Sequence, residues 1–155
     1  MTIWASKKGE DGIEIASDSL SACGDYRQYY HNKIKESGEW IYVLSGEDVY
    51  NFILKDFLTD YKFTTVTALY NDWWEFVPKH LNEESRKQFY TLLVYKPMKQ
   101  AFVISIQEIR EASECECNNS LGVGMLTEGK KPQEVCQFYI NHNLYCGGPI
   151  NTLCI

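Results

Sequence analysis

The chain has 155 residues, 45% of them apolar and 14% aromatic, and a formal net charge of −6. Its length predicts one domain over residues 1–155 whose core buries roughly 70% of the unfolded surface. No run is long and apolar enough to span a bilayer, and the N-terminus lacks the basic-apolar-small order of a secretion signal, so a soluble cytoplasmic protein with no membrane partner is expected.

Lysines and arginines are scattered, which argues against nucleic acid as a partner, since binding a phosphate backbone needs a concentrated basic surface. Six cysteines, Cys23, Cys115, Cys117, Cys136, Cys146 and Cys154, read as reduced thiols or small core residues in that compartment. Cys115 and Cys117 form a lone C-x-C with no second pair at zinc spacing, so no metal site is expected there. Cys136, His142 and Cys146 do not share one helical face.

Two runs, Met1 to Ser6 and Gly12 to Ser19, alternate β-branched or aromatic residues with polar ones across the loop Lys7 to Gly12. They predict a hairpin that brings Asp18 close to Thr2. A threonine that becomes the first residue on removal of Met1 carries a hydroxyl and a free α-amine, and so can be nucleophile and base at once. Ser19 to Gly24 suits a tight turn or a cleft edge. A polar, aromatic run follows from Asp25 to His31.

Lys33 to Lys35 and Glu39 to Leu44 predict a second hairpin across Ser37-Gly38. Ser45 reads as the N-cap of a helix with Glu47 and Asp48 in its first turn, and Val49, Phe52, Ile53 and Phe57 would share its apolar face. Thr64 or Thr65 caps a second helix, with Val66, Leu69, Tyr70, Trp73 and Val77 on one face and Pro78 as its stop. Trp73 and Trp74 suit packing within a layer or between subunits. Gln88 to Tyr95 and Gln100 to Ile106 predict a third hairpin across Lys96 to Lys99.

Gln107 to Asn119 is polar and acidic, a surface crossing by composition. Leu121 to Leu126 predicts a short helix closed by Gly129. Pro132 suits the first turn of a helix running from Glu134 to Tyr145, which Gly147-Gly148-Pro149 ends before a last strand from Ile150 to Ile155. Strands, two helices, strands, two helices and a strand predict an α+β fold, a four-layer α/β/β/α sandwich of two antiparallel sheets flanked by helices.

This order, together with Met1-Thr2-Ile3, Ile15-Ala16-Ser17-Asp18-Ser19, Gly24, Lys33-Ile34, Leu44-Ser45-Gly46, Gly124, Gly129, Pro132 to Val135 and Cys146 to Ile150, resembles the proteasome β-subunit family of N-terminal nucleophile (Ntn) hydrolases. The compact bacterial and phage members are the most similar. The resemblance implies Thr2 as nucleophile and its α-amine as proton acceptor. Asp18 would orient the site, and Lys33 would ease ionisation of the hydroxyl. A lysine ammonium stabilises a developing alkoxide, and a carboxylate holds that lysine charged and in place. The N–H of Gly46, expected at a helix N-terminus, would face the oxyanion. Ser19, Asn143 and Cys146 would form the supporting shell.

The family's aspartate and hydroxyl before the late Gly-Gly are here Asn143 and Cys146. Its Gly-Ser-Gly turn is not recognisable here, since the corresponding region reads Glu116-Cys117-Asn118 or, on another alignment, Gly122-Val123-Gly124. Asp18 also suits a turn that binds N–H groups, and Lys35 lies two residues from Lys33 on the same strand face.

The implied activity is that of a threonine protease or amidohydrolase acting on a peptide or amide without cofactor or metal. A homo-oligomer is implied, and an ATP-dependent unfoldase as partner. The alternative is a catalytically inactive subunit of the same fold that serves as scaffold or partner-binding protein.

Overall fold

The computed structural model describes residues 2–23, 27–142 and 146–155. They fall into two compact units, Met1–Ile34 with Ser113–Ile155, and Lys35–Ala112.

In the first unit, β1 (Trp4–Gly9) and β2 (Gly12–Ser17) pair antiparallel from Trp4↔Ser17 to Gly9↔Gly12. The turn is tighter than the expected loop, because Lys7 and Lys8 continue the ladder and only Glu10-Asp11 connects the strands. Gly12 has φ +130°, and a Cβ there would strike the Ile155 carbonyl. β3 (Leu20–Cys23) and β4 (Arg27–Tyr30) form a further hairpin, with Ser21 opposite Tyr29. This stretch was expected to be a turn and a polar run. Its small residues are weak strand formers by themselves, and the tyrosines across the ladder supply the β preference.

Two other strands border the first hairpin. β11 (Asn151–Cys154) pairs with β2, and β10 (Cys115–Cys117) pairs with β1, giving the order β10-β1-β2-β11. The expected surface crossing therefore contains two strands, β10 and another at Ile109–Glu111. Its Glu116 is buried with its carboxylate accepting the Ser113 N–H at 2.7 Å, so composition misjudged a polar residue that local backbone satisfies. α4 (Ser120–Thr127) and α5 (Pro132–His142) pack on this sheet. Ile3, Ala5 and Ala16 meet Leu126, Val135, Cys136 and Tyr139 in their common core. Gly122 lies where a Cβ would run into Cys117 Sγ, which lets α4 approach β10.

The second unit is a five-stranded antiparallel sheet, β5 (Ile34–Ser37), β6 (Trp40–Ser45), β7 (Tyr90–Tyr95), β8 (Gln100–Ser105) and β9 (Ile109–Glu111), adjacent in that order. It packs with α1 (Val49–Thr59) and α2 (Val66–Phe76) around an aromatic core that includes Trp40, Tyr50, Phe57, Trp73, Phe89 and Phe102. Thr65 caps α2 by accepting the Ala68 N–H at 3.1 Å. Trp73 is fully buried and stacks on Phe89 with ring centroids 5.1 Å apart, while Trp74 is partly buried against the same ring. Both tryptophans pack within this core. A short helix, α3 (Glu83–Lys87), was not anticipated; the Asn82 side chain caps it.

Two expectations about α1 are corrected. Ser45 ends β6, and the N-cap is Asp48, whose side chain makes no capping hydrogen bond. The buried face is Tyr50, Leu54, Phe57 and Leu58, whereas Phe52 is 71% exposed.

Candidate active site

The start of β1 and the end of β2 meet at Asp18, which is fully buried. Its backbone N–H donates to the Ile3 carbonyl at 3.1 Å, and its Oδ1 accepts the Ile3 N–H at 3.1 Å. Asp18 thus holds the amide that directly follows Thr2. Lys33 reaches the same Oδ1 with Nζ at 2.9 Å and is itself only 6% exposed. The Gly147 N–H donates to Oδ2 at 3.3 Å. Three donors, one of them charged, offset the desolvation of this carboxylate, which makes burying it tolerable.

The neighbouring Gly-Gly pair sets how closely the chain returns to this point. The Gly147 carbonyl accepts the N–H groups of Ser19 and Leu20 at 3.1 and 3.0 Å. Gly148 has φ +78°, and a Cβ there would strike the Ser19 hydroxyl and the Tyr30 ring. The structure therefore brings Thr2, Asp18, Lys33, Ser19 and Cys146 together around one strand end. Ser19 contributes through its backbone; its buried hydroxyl has no hydrogen-bond partner among the described residues.

Cys146 is buried beside Gly147, and burial followed by the nearby Asp18 carboxylate pushes its thiol up to about 11. At neutral pH it is a neutral thiol. Cys117 is likewise raised to about 11, chiefly by burial, and Cys136 further still by burial and then by Cys117 and Asp18. Cys115, Cys117, Cys136, Cys146 and Cys154 are free thiols. His142 lies apart from Cys136 and Cys146 in environment, exposed, with Nδ1 2.7 Å from the Phe138 carbonyl. Among the described residues, no group of three His, Cys, Asp or Glu side chains is placed to hold a metal.

Gly46 belongs to the other unit. It lies in the loop between β6 and α1, two residues before the N-cap, with φ +146°; a Cβ would sit 3.3 Å from the Gln88 carbonyl oxygen. Gly46 therefore leads into the helix and does not open it, which corrects the expected helix start. Asn143 lies outside the described residues.

One residue at this strand end entered the sequence reading only as part of Glu116-Cys117-Asn118, one of two stretches set against the Gly-Ser-Gly turn, with no role of its own. Asn118 donates from Nδ2 to the Thr2 carbonyl at 2.6 Å and accepts the Trp4 N–H on Oδ1 at 3.0 Å. Its local sequence signal was Asn118-Asn119-Ser120, a cluster of turn and cap residues at a helix start. That signal marks the turn and says nothing of a partner 116 positions away.

No protein-family model and no curated protein sequence matches the chain. Solved structures do. BPH from Thiobacillus denitrificans superposes with a TM-score of 0.78 at 15% identity over 100% of this chain and 97% of its own; its complex with epoxomicin gives 0.77, again at 15%, over 100% and 98%. Anbu, an ancestral β-subunit, from Yersinia bercovieri gives 0.71 at 16% over 100% and 82%, and HslV from Trypanosoma brucei gives 0.63 at 10% over 99% and 98%. The antiparallel sheets and their helices are thus those of the proteasome-like Ntn-hydrolase fold, the fold class expected from the sequence.

Proposed function

We propose that the chain is a threonine-type N-terminal nucleophile hydrolase, a peptidase or amidohydrolase built as a single domain and active once Met1 is removed. The observation that carries this reading is the buried Lys33–Asp18 pair, whose shared Oδ1 also binds the N–H of Ile3, the residue bonded to Thr2. A charged pair so fully desolvated costs free energy to maintain, which packing alone does not require.

In this mechanism Thr2 Oγ adds to an amide carbonyl carbon while its proton passes to the Thr2 α-amine. The Lys33 ammonium stabilises the developing alkoxide, and Asp18 keeps that ammonium oriented. The tetrahedral adduct collapses with cleavage of the C–N bond, and the α-ammonium returns its proton to the departing amine. Water then attacks the Thr2 ester, giving its proton to the amine, and the acid leaves as Thr2 regains its hydroxyl. We extend the reading to a homo-oligomer; light scattering that returns a single-chain mass would reject that part.

The test is intact mass before and after incubation with epoxomicin, which BPH from Thiobacillus denitrificans binds in its solved complex. The expected result is a chain without Met1 that gains one inhibitor mass, and a Thr2→Ala variant that gains none. Retained Met1, or no adduct, would reject catalysis and leave the inactive scaffold as the reading.

A further inference from the structure

The peptide group joining Thr2 to Ile3 is held from both edges of the strand. Its N–H points to Asp18 Oδ1 at 3.1 Å, and its carbonyl accepts Asn118 Nδ2 at 2.6 Å. In an extended strand the Thr2 carbonyl and the Trp4 N–H lie on the same edge, with the N–H and carbonyl of Ile3 on the other. Asp18 occupies the second edge. On the first edge the β1–β10 ladder runs out: Ala5 pairs with Cys117, the Asn118 N–H reaches the Trp4 carbonyl at 3.3 Å, and the backbone then turns through Asn119 into α4.

There the Trp4 N–H and the Thr2 carbonyl face the Asn118 side chain in place of backbone. The Asn118 carboxamide has the donor and acceptor of a peptide group. It takes the Trp4 N–H on Oδ1 at 3.0 Å and gives Nδ2 to the Thr2 carbonyl, lengthening the ladder where the backbone has left it. We propose that Asn118 is a positioning residue for Thr2: with Asp18 it clamps the Thr2–Ile3 peptide plane and so fixes where the hydroxyl and α-amine of Thr2 point.

This inference rests on the reading of Thr2 as the nucleophile. If the Asn118 donor is lost, Asp18 alone holds the plane and Thr2 can swing about it. Displacement of a reacting group by about 1 Å costs on the order of 100-fold in rate. Binding of an inhibitor body along the site does not depend on that plane to the same degree. The clamp therefore acts on the rate of bond formation and little on affinity.

The experiment uses the full chain and epoxomicin, with kinact and KI measured separately for wild type, Asn118→Asp and Asn118→Ala. Asn118→Asp keeps an oxygen for the Trp4 N–H but sets a second oxygen against the Thr2 carbonyl. Both variants are expected to lose roughly 10- to 100-fold in kinact with KI within about twofold of wild type. A core variant, Ile13→Val, gauges general loosening. Variants that react at the wild-type kinact overturn the proposal, as does a loss that Ile13→Val reproduces at equal melting temperature. If wild type takes no adduct, the hydrolase reading fails separately. Hydrogen exchange of the Asn118 side-chain amide then decides whether the clamp exists: protection in an unreactive protein makes it part of the fold alone, absence of protection removes it, and either overturns the positioning role.

Discussion

Replacing Lys33 by methionine tests the buried pair at the centre of the site. Methionine keeps most of the stem's bulk but leaves the Asp18 carboxylate, fully buried, with only the N–H groups of Ile3 and Gly147 among its described partners. Breaking one side of a buried ion pair costs about 3–5 kcal/mol, because the remaining charge stays desolvated. For a chain of this size that is a fall in melting temperature of roughly 6–20 °C. The double variant Asp18→Asn/Lys33→Met removes both charges, and its amide oxygen can still accept the Ile3 N–H. It should therefore be more stable than Lys33→Met, with a coupling energy of about 1–3 kcal/mol. Denaturant unfolding of wild type, both single variants and the double variant measures this directly. Epoxomicin labelling should be lost in all three variants, including the double variant that regains stability. A Lys33→Met protein within about 1 kcal/mol of wild type would refute the claim that the pair is buried and coupled.

Three more outcomes follow from the environments of α1 and of the thiols. In α1, Phe52→Ser should change stability by no more than about 0.5 kcal/mol, whereas Leu54→Ala should cost about 2–5 kcal/mol by thermal unfolding; the reverse ranking would mean that the helix buries its other face. In a Cys23→Ser background at pH 8, iodoacetamide should modify exposed Cys154 and half-buried Cys115 while Cys117, Cys136 and Cys146 stay unreacted until the chain unfolds. The raised thiols also set a pH dependence. Below pH 9 they are neutral folded and unfolded; from pH 9 to about 11 the unfolded chain releases protons that the native Cys117 and Cys146 retain, so stability falls as pH rises. Unchanged stability across that window would contradict their burial.

How much of this was legible in the sequence depended on whether the governing contacts were local. The first hairpin followed from alternation and bounding glycines, and Thr65 as a cap from its place before an apolar stripe. The sequence favours Lys33 over Lys35, because Ile34 follows it and because its sequence distances to Asp18 and Gly46 fit the family resemblance. Their surroundings separate them: Lys33 is buried on Asp18, while Lys35 is lowered by partial burial, an effect that Asp48 opposes. In α1 two apolar stripes share the required spacing, because only Asn51, Lys55 and Asp56 interrupt the run from 49 to 58. The discriminating sign was that Phe52 lies on the i, i+4 row of Asp48 and Asp56, the solvent side. Glu116 and Asn118 escaped because each is decided by a hydrogen bond to backbone, one from Ser113 and one to Thr2 across the unit. Hydropathy cannot register such a bond.

In the proposed mechanism Thr2, freed of Met1, is the nucleophile. Tandem mass spectrometry of the N-terminal peptide after epoxomicin treatment tests it most directly, because it locates the adduct as well as counting it. The expected spectrum begins at Thr2 with the inhibitor mass on that residue. An N-terminal peptide that keeps Met1, or an adduct found only on a thiol such as exposed Cys154, would contradict it.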